Sequence, residues 1–506
     1  MNKLNILFIN PCLRRNSSYK ILPVGLASVM TVTKLFGYQF DLLDIDINEY
    51  ADDYVESFVK GHDYDVILYG SIVTHYKWIK WLTTTIKKHK PNTKIVVGNS
   101  VAGSCYEVFL TNCPADVVVI GEGEFSCVDV LNAFSESRDL ATVTGIAYRD
   151  ANGQIVKNPP RKACRIDELP MIEWDFFEVQ KYIERSQGKL SFGNDSDARP
   201  TISMPVTTAR GCINKCTFCH YVFWDDPYRF RSPEKILEEI RRNIEVYGAS
   251  YINFWDDLSF ASLAQVESMV DAILASDLKF KWSAAIRTDL FGNPEKSVKR
   301  RVEVAKKMKL AGCNAVGFSL ESGNEEILKM MNKRVKVEYF SEQIKLLKSV
   351  GITSNVSVII GYPIETLESI KETFDMCLQN GIYPSIGYLL PLPYTGMYQY
   401  ALDNGFIVDQ DKYLTSITER QDFCLNMTKM TNEEIQSAIS EFARKANDVL
   451  KLGLDEQSYL KTGGYKRHTN VEKQLNDFQR GIDPQNINRN ENDFSLNYSA
   501  AVFSRA

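Results

Sequence analysis

Leu4 to Ile9 is a short apolar run of the kind a sheet buries on both faces. A polar loop from Asn10 to Lys20 follows, then an apolar stretch from Leu22 through Phe36 that stops at Gly37. The order is strand, loop, helix. The same unit recurs at Phe40 to Ile45, at Val66 to Tyr69 with the helix Lys77 to His89, at Ile95 to Gly98 and at Val117 to Ile120. Strands separated by helix-length segments predict a doubly wound parallel sheet, whose ligands bind at loops off the carboxyl ends of the strands. Those loops are Asn10 to Ser18, Ser71 to Tyr76, Gly98 to Ser104 and Gly121 to Phe125.

This first domain is expected over residues 1–139 and a connector over 140–199. Within the connector, Ile146 to Arg149 and Gln154 to Lys157 flank Asn152-Gly153, a hairpin signal because that pair supplies positive φ angles. Pro159-Pro160 then ends regular pairing, and Ser186 to Pro200 reads as a polar linker or mobile loop. A second alternation fills residues 200–400. Strands are expected at Pro205 to Ala209, Tyr251 to Trp255, Lys281 to Ile286, Ala315 to Leu320, Ile352 to Ile360 and Ser385 to Leu390, with helices between them. Six such units suggest an open, partial barrel of parallel strands with its chemistry at their carboxyl ends. Residues 401–506 are expected to be a mainly helical extension with a polar tail: Thr431 and Glu434 have capping-box spacing, and the stretch from Thr469 has few apolar positions.

Composition narrows the partners. The chain has 506 residues, with 59 Lys and Arg against 64 Asp and Glu and a net charge of -5. That balance gives no electrostatic footprint for a phosphate backbone, so nucleic acid is not the expected partner. No apolar run is long enough to span a bilayer, and Met1 to Asn10 turns polar too early for a signal peptide. The expectation is a cytoplasmic protein without stable membrane insertion. In a reducing compartment the eleven cysteines should be unpaired, so a tight cysteine cluster points to a metal or to catalysis.

One such cluster exists: Cys212, Cys216 and Cys219, spaced C-x3-C-x2-C. Three thiolates this close suit zinc or an iron–sulfur cluster. Zinc wants a fourth ligand, and His220 sits awkwardly beside Cys219 with no second Cys or His pair nearby. A cubane is the better match, since three cysteines hold three irons and leave the fourth open. Gly121-Glu122-Gly123-Glu124 lacks the third glycine of a dinucleotide fingerprint, which disfavours nicotinamide and flavin. The small residues of that loop and of Gly98-Asn99 either admit a flat, bulky ligand or only serve tight turns.

With these residues in place the sequence resembles the cobalamin-binding radical S-adenosylmethionine (SAM) enzymes over about residues 1–400. The resemblance is carried by the cysteine spacing with Phe218 before the last cysteine, by Tyr228-Arg229-Phe230-Arg231-Ser232-Pro233-Glu234, by Asp256-Asp257 and by Phe318-Ser319-Leu320-Glu321-Ser322-Gly323. Gly361-Tyr362-Pro363-Ile364-Glu365-Thr366, Pro391-Leu392-Pro393-Tyr394-Thr395-Gly396 and the first-domain Gly-Glu-Gly-Glu add to it. The fold it implies is α/β: a Rossmann-like cobalamin-binding domain, a partial (β/α)6 radical SAM barrel and the helical extension. It implies a 4Fe-4S cluster on Cys212, Cys216 and Cys219, SAM near Phe218, Arg287, Ser319 and Glu321, and cobalamin near Ser71, Val73, Thr74, His75, Gly98, Asn99, Gly121, Glu122 and Gly123. The cobalt-ligating Asp-x-His-x-x-Gly pattern is absent, and His75 is the one histidine in an expected cofactor loop, where a hydrogen-bonding role is favoured over ligation. Of Asp256 and Asp257, one is expected to anchor the barrel or SAM and the other to be structural.

The resemblance implies cleavage of SAM to a 5'-deoxyadenosyl radical, fed by an external electron donor such as flavodoxin or ferredoxin. It further implies C-methylation of an unactivated carbon in a small-molecule substrate. Radical initiation without methyl transfer is the alternative within the family, and a zinc or cobalamin-sensing protein is the alternative outside it.

Overall fold

The computed structural model describes residues 4–452 apart from 16, 18, 190–200, 221–225 and 421. Most of the expected linker after Ser186 and the polar tail, with His468, lie outside the described residues.

The first sheet has seven strands: Ile6–Asn10 (β1), Asp41–Asp44 (β2), Val66–Gly70 (β3), Lys94–Gly98 (β4), Val117–Val119 (β5), Ile146–Arg149 (β6) and Ile155–Lys157 (β7). Their order is β2-β1-β3-β4-β5-β6-β7, parallel through β5. Alternate residues of β1 go to opposite cores, as the two-residue period of a strand requires. Ile6 and Phe8 pack with Ala27 and Met30 of the helix Val24–Leu35, while Leu7 and Ile9 face Ile79, Leu82 and Ile86 of the helix Tyr76–His89. Burial on both faces is why these strands read as unbroken apolar runs.

The hairpin at Asn152-Gly153 forms, but it belongs to this sheet and not to a free connector. Ile146, Ala147 and Tyr148 pair antiparallel with Val119, Val118 and Val117, and β7 pairs with β6. Those three residues are buried, and β6 satisfies the backbone groups that β5 would otherwise leave open as an edge. The first structural unit therefore runs to Lys157, past the boundary expected at 139.

The second sheet begins at Ser203–Val206 (β8). The chain then leaves it as a two-stranded antiparallel ribbon, Ala209–Arg210 (β9) with Arg229–Phe230 (β10), so the strand expected over Pro205 to Ala209 is broken in two. Tyr251–Phe254 (β11), Lys281–Ala285 (β12), Cys313–Glu321 (β13), Thr353–Ile360 (β14) and Ser385–Tyr388 (β15) complete six parallel strands in sequence order. This is the partial barrel. Its apolar core is continuous with that of the first sheet, one cluster running from Phe8 and Val119 to Met204, Phe254 and Trp282.

The extension binds both units. Asp411, in the helix Gln410–Ser416, accepts from Tyr76 Oη at 2.8 Å and from Lys80 Nζ at 2.6 Å. The helix Asn432–Leu450 starts at the Thr431–Glu434 capping box and lies on the helix Leu367–Gln379, with Phe442 stacked on Phe374 at 3.9 Å and 6°. Among the described residues no helix is long and apolar enough to cross a membrane.

Candidate cofactor site between the two sheets

The Cys loop is the connection inside the β9–β10 ribbon. It lies on the segment that follows β13: Thr217 N donates to Met331 O at 2.9 Å, Thr217 Oγ1 to Met330 O at 3.0 Å and Asn332 Nδ2 to Lys215 O at 2.8 Å. The base of the ribbon is held by Asp256, whose carboxylate accepts from Thr208 N and Ala209 N at 2.9 and 3.1 Å and from Thr208 Oγ1 at 2.6 Å. Burial pushes the Asp256 carboxyl up to about 6 against these hydrogen bonds. Of the adjacent aspartates, Asp256 is thus the barrel anchor.

Burial raises the thiols of Cys216 and Cys219, that of Cys219 well above its ordinary value, with Cys216, Asp257 and Cys212 adding to the latter. The charges of Lys333 and Arg287 act on the Cys216 thiol from nearby. Among the described residues no three Cys, His, Asp or Glu side chains are gathered as around a single ion. Thiolates on three corners of a cubane stand further apart than the ligands of one ion, and a soft, all-thiolate donor set suits iron–sulfur chemistry. His220 is half-buried, desolvation pushes it down to about 4, and its Nδ1 has no hydrogen-bond partner among the described residues.

The residues expected to hold SAM divide. Phe218 lies edge-on to Tyr362, with ring centroids 6.4 Å apart, and Lys333 Nζ stands 5.8 Å from its own centroid. Glu321, at the end of β13 with φ of 63°, accepts from Lys333 Nζ at 2.7 Å. Burial opposes the charge on Lys333, but Glu321 and Cys216 outweigh it and its pKa is raised. Ser319 Oγ accepts from Ser357 Oγ at 3.1 Å inside the barrel. Arg287 is already engaged: its Nε and Nη2 donate to both carboxylate oxygens of Asp289 at 2.7 and 3.0 Å. Phe218, Glu321 and Lys333 thus form one group beside the Cys loop, and Arg287 is committed to a local ion pair.

A cavity of about 320 Å³ opens between the two sheets. Phe8, Leu68, Val96 and Val119 of the first sheet line it with Val24 to Val29, while Thr207, Arg210, Phe254, Asp256 and Asp257 close the barrel side. Of the residues expected to touch cobalamin, Gly98, Asn99, Gly121, Glu122 and Gly123 are on its wall. Gly121 takes φ of 82°, and a Cβ built there would meet nothing within 4 Å, so the rim is left open for a bulky group. Ser71, Val73, Thr74 and His75 are not on that wall. His75 Nδ1 is 3.0 Å from Ser71 Oγ and its ring stacks on Trp78 at 5.0 Å and 8°, which turns it into local packing, and among the described residues no histidine lines the cavity. An apolar slot with a few polar groups at a sheet's carboxyl edge suits a large cofactor.

Sequence reasoning missed Lys333, Arg210 and Arg229. Arg210 Nη2 donates to Glu124 Oε1 at 2.6 Å, and Arg229 Nη2 to Glu122 Oε1 at 2.5 Å. Burial would raise the Glu124 carboxyl, but Arg210 and Ser28 hold it below its usual value. No spacing rule gives these residues their roles: the carboxylates that the two arginines meet most closely lie in the other unit, and Lys333 reaches Glu321 across a helix and a loop. The available signals were the position of Arg210 two residues before Cys212 and that of Arg229 in the segment from Tyr228 to Glu234.

Comparison with known proteins agrees with this division. Residues 11–131 match the B12 binding domain and residues 206–377 the radical SAM superfamily. An uncharacterized methyltransferase of Pyrococcus horikoshii is 28% identical over 366 residues, 71% of this chain and 72% of the relative. Cytidylyl-2-hydroxyethylphosphonate methyltransferase of Streptomyces wedmorensis is 23% identical over 494 residues, covering 87% and 90%. The fold resembles that of the cobalamin-dependent SAM radical enzyme OxsB, solved with aqua-cobalamin and SAM bound, at a TM-score of 0.68 and 16% identity over 99% of this chain and 84% of that one.

Proposed function

We propose that this chain, which belongs to the cobalamin-binding radical SAM enzymes, is a C-methyltransferase acting on an unactivated carbon of a small molecule. The observation that carries the reading is the single cavity that joins the cobalamin-type loops, at Gly98, Asn99, Gly121 and Gly123, to the barrel wall at Arg210 and Asp257 beside the Cys loop. Bound together, the cluster, SAM and cobalamin supply a carbon-centred radical and a transferable methyl group. The chain contributes position and dryness.

Cys212, Cys216 and Cys219 would hold the cluster, with Cys216 buried on the inner side of the loop. Phe218 offers an aromatic face and Glu321 with Lys333 a charged edge for SAM. The apolar slot behind Gly121 would receive part of the cobalamin, and His75, stacked on Trp78, lies off that wall. The electron comes from an external donor, for which the half-buried Cys loop with exposed Ile213 and Lys215 provides access.

Two measurements test this. Cys216→Ala should remove the cluster's visible absorbance and SAM cleavage, whereas Cys377→Ala, in the apolar core, should spare both. With candidate substrates, the anaerobically reconstituted enzyme should form S-adenosylhomocysteine and 5'-deoxyadenosine in equal amounts. Formation of 5'-deoxyadenosine alone would mark radical chemistry without methyl transfer, and a zinc-loaded, iron-free protein would sink both readings.

A further inference from the structure

The β9–β10 ribbon contains an arrangement that is unfavourable by itself. Arg210 and Arg229 are direct cross-strand partners, and like charges directly opposite on an antiparallel pair repel. Their side chains are only 13% and 14% exposed, so water does little to screen them. Asp226, beside the ribbon, stands 3.9 Å from Arg229, and the close neutralising contacts come from the other unit. Glu122 Oε1 lies 3.1 Å from Arg210 Nη1 and 2.5 Å from Arg229 Nη2, and Glu124 Oε1 accepts from Arg210 Nη2 at 2.6 Å and from Ser28 Oγ at 2.6 Å. Arg229 Nη1 also donates to Cys164 O at 2.8 Å, and Arg231 ties the ribbon to the barrel through Thr207 O at 2.7 Å and Glu239 at 2.6 Å. All three cysteines lie in the loop that this ribbon closes.

We propose that Glu122 and Glu124 are positioning residues for the Cys loop: they neutralise the opposed arginines of its stem, so that the first domain completes the hairpin that holds the cluster and sets its offset from the cavity. The inference rests on the cobalamin-dependent radical SAM reading. It assigns these carboxylates to the partner domain's arginines in place of a contact with cobalamin.

The test uses the full chain, reconstituted anaerobically with iron, sulfide and cobalamin. Glu122→Gln with Glu124→Gln keeps side-chain shape and removes both first-domain carboxylates from the arginines, leaving Asp226, 3.9 Å from Arg229, in place. A second variant, Arg210→Gln with Glu124→Gln, removes one charge of each sign, so it keeps the fold but lacks the tie between Arg210 and Glu124. Loss of iron to a chelator should accelerate roughly tenfold in the first variant, the range in which outer partners of metal ligands act. In the second, the electron paramagnetic resonance of the reduced protein should show the interaction between cluster and cob(II)alamin broadened from one value to many, at a thermal midpoint close to the parent's. Parent-like iron retention in the first variant together with a parent-like interaction in the second would overturn the proposal. If the parent binds no cobalamin, the family reading falls, and chelator kinetics alone then decide the role of the two carboxylates.

Discussion

Glu365 shows how a single buried carboxyl can make the whole fold sensitive to pH. Its Oε2 accepts from the backbone N–H groups of Gly361 and Tyr362, its Oε1 has no hydrogen-bond partner among the described residues, and burial pushes it from 4.5 up to about 7. Between those two values the folded protein holds a proton that the unfolded chain releases, so stability falls as pH rises through the window. Asp44 and Asp256, each pushed up to about 6 mainly by burial, act with the same sign. Glu365→Gln keeps the acceptor for both N–H groups and removes the titration. Unfolding free energies from denaturant titrations between pH 5 and 8 should decline less steeply in this variant than in the parent, by an amount on the order of 2 kcal/mol at pH 8. Parallel curves would mean that Glu365 is not protonated in the fold. Nothing in Gly-Tyr-Pro-Ile-Glu reveals this shift, because it depends on what covers the loop.

Elements here are held less by their own propensity than by one or two large contacts. Gly323 follows β13 where the helix Leu367–Gln379 comes so close that a Cβ would lie 2.7 Å from the backbone of Thr373, and its N–H donates to Thr373 Oγ1 at 2.8 Å. That helix in turn receives the C-terminal helix through the Phe374–Phe442 stack. Phe442 is 5% exposed and also stacks on Tyr383. Phe442→Ala should therefore destabilise the protein by about 3 kcal/mol, the usual cost of emptying a buried aromatic site. Denaturant unfolding followed by tryptophan fluorescence measures it, and a loss near zero would show that the C-terminal helix is not part of the cooperative unit. The capping box at Thr431 and Glu434 was legible because it is local. The face that the helix buries was not.

At the scale of the whole molecule, the extension returns to the beginning of the chain. Arg14 Nε and Nη2 donate to the two carboxylate oxygens of Glu419, each at 2.7 Å, across 405 residues of sequence. Such a two-bond pair is directional as well as strong. Lys20, its ammonium 3.1 Å from both Asp46 and Glu49, fixes the far end of the same loop. Glu419→Ala should loosen residues 11–15 and 404–420 together. Hydrogen exchange should speed up by roughly tenfold in both segments, the equivalent of about 1.4 kcal/mol of local opening, while β11 to β14 keep their protection. Faster exchange in only one segment would refute the coupling.

What the chain's order of residues determined by itself was whatever depends on near neighbours: strand and helix periods, the Asn152-Gly153 hairpin, the Thr431 cap and the C-x3-C-x2-C loop. Two α/β units and a candidate thiolate site follow from these with no reference to a third dimension. Tertiary structure decided which units share a wall. It joined β6 to β5, tied Arg14 to Glu419, and drew Arg210 and Arg229 onto Glu122 and Glu124. Each of these choices pairs a charge or an edge with a partner distant in sequence, and desolvation settles them. A group leaving water takes the partner that burial brings within reach, and residue spacing does not encode which one that will be.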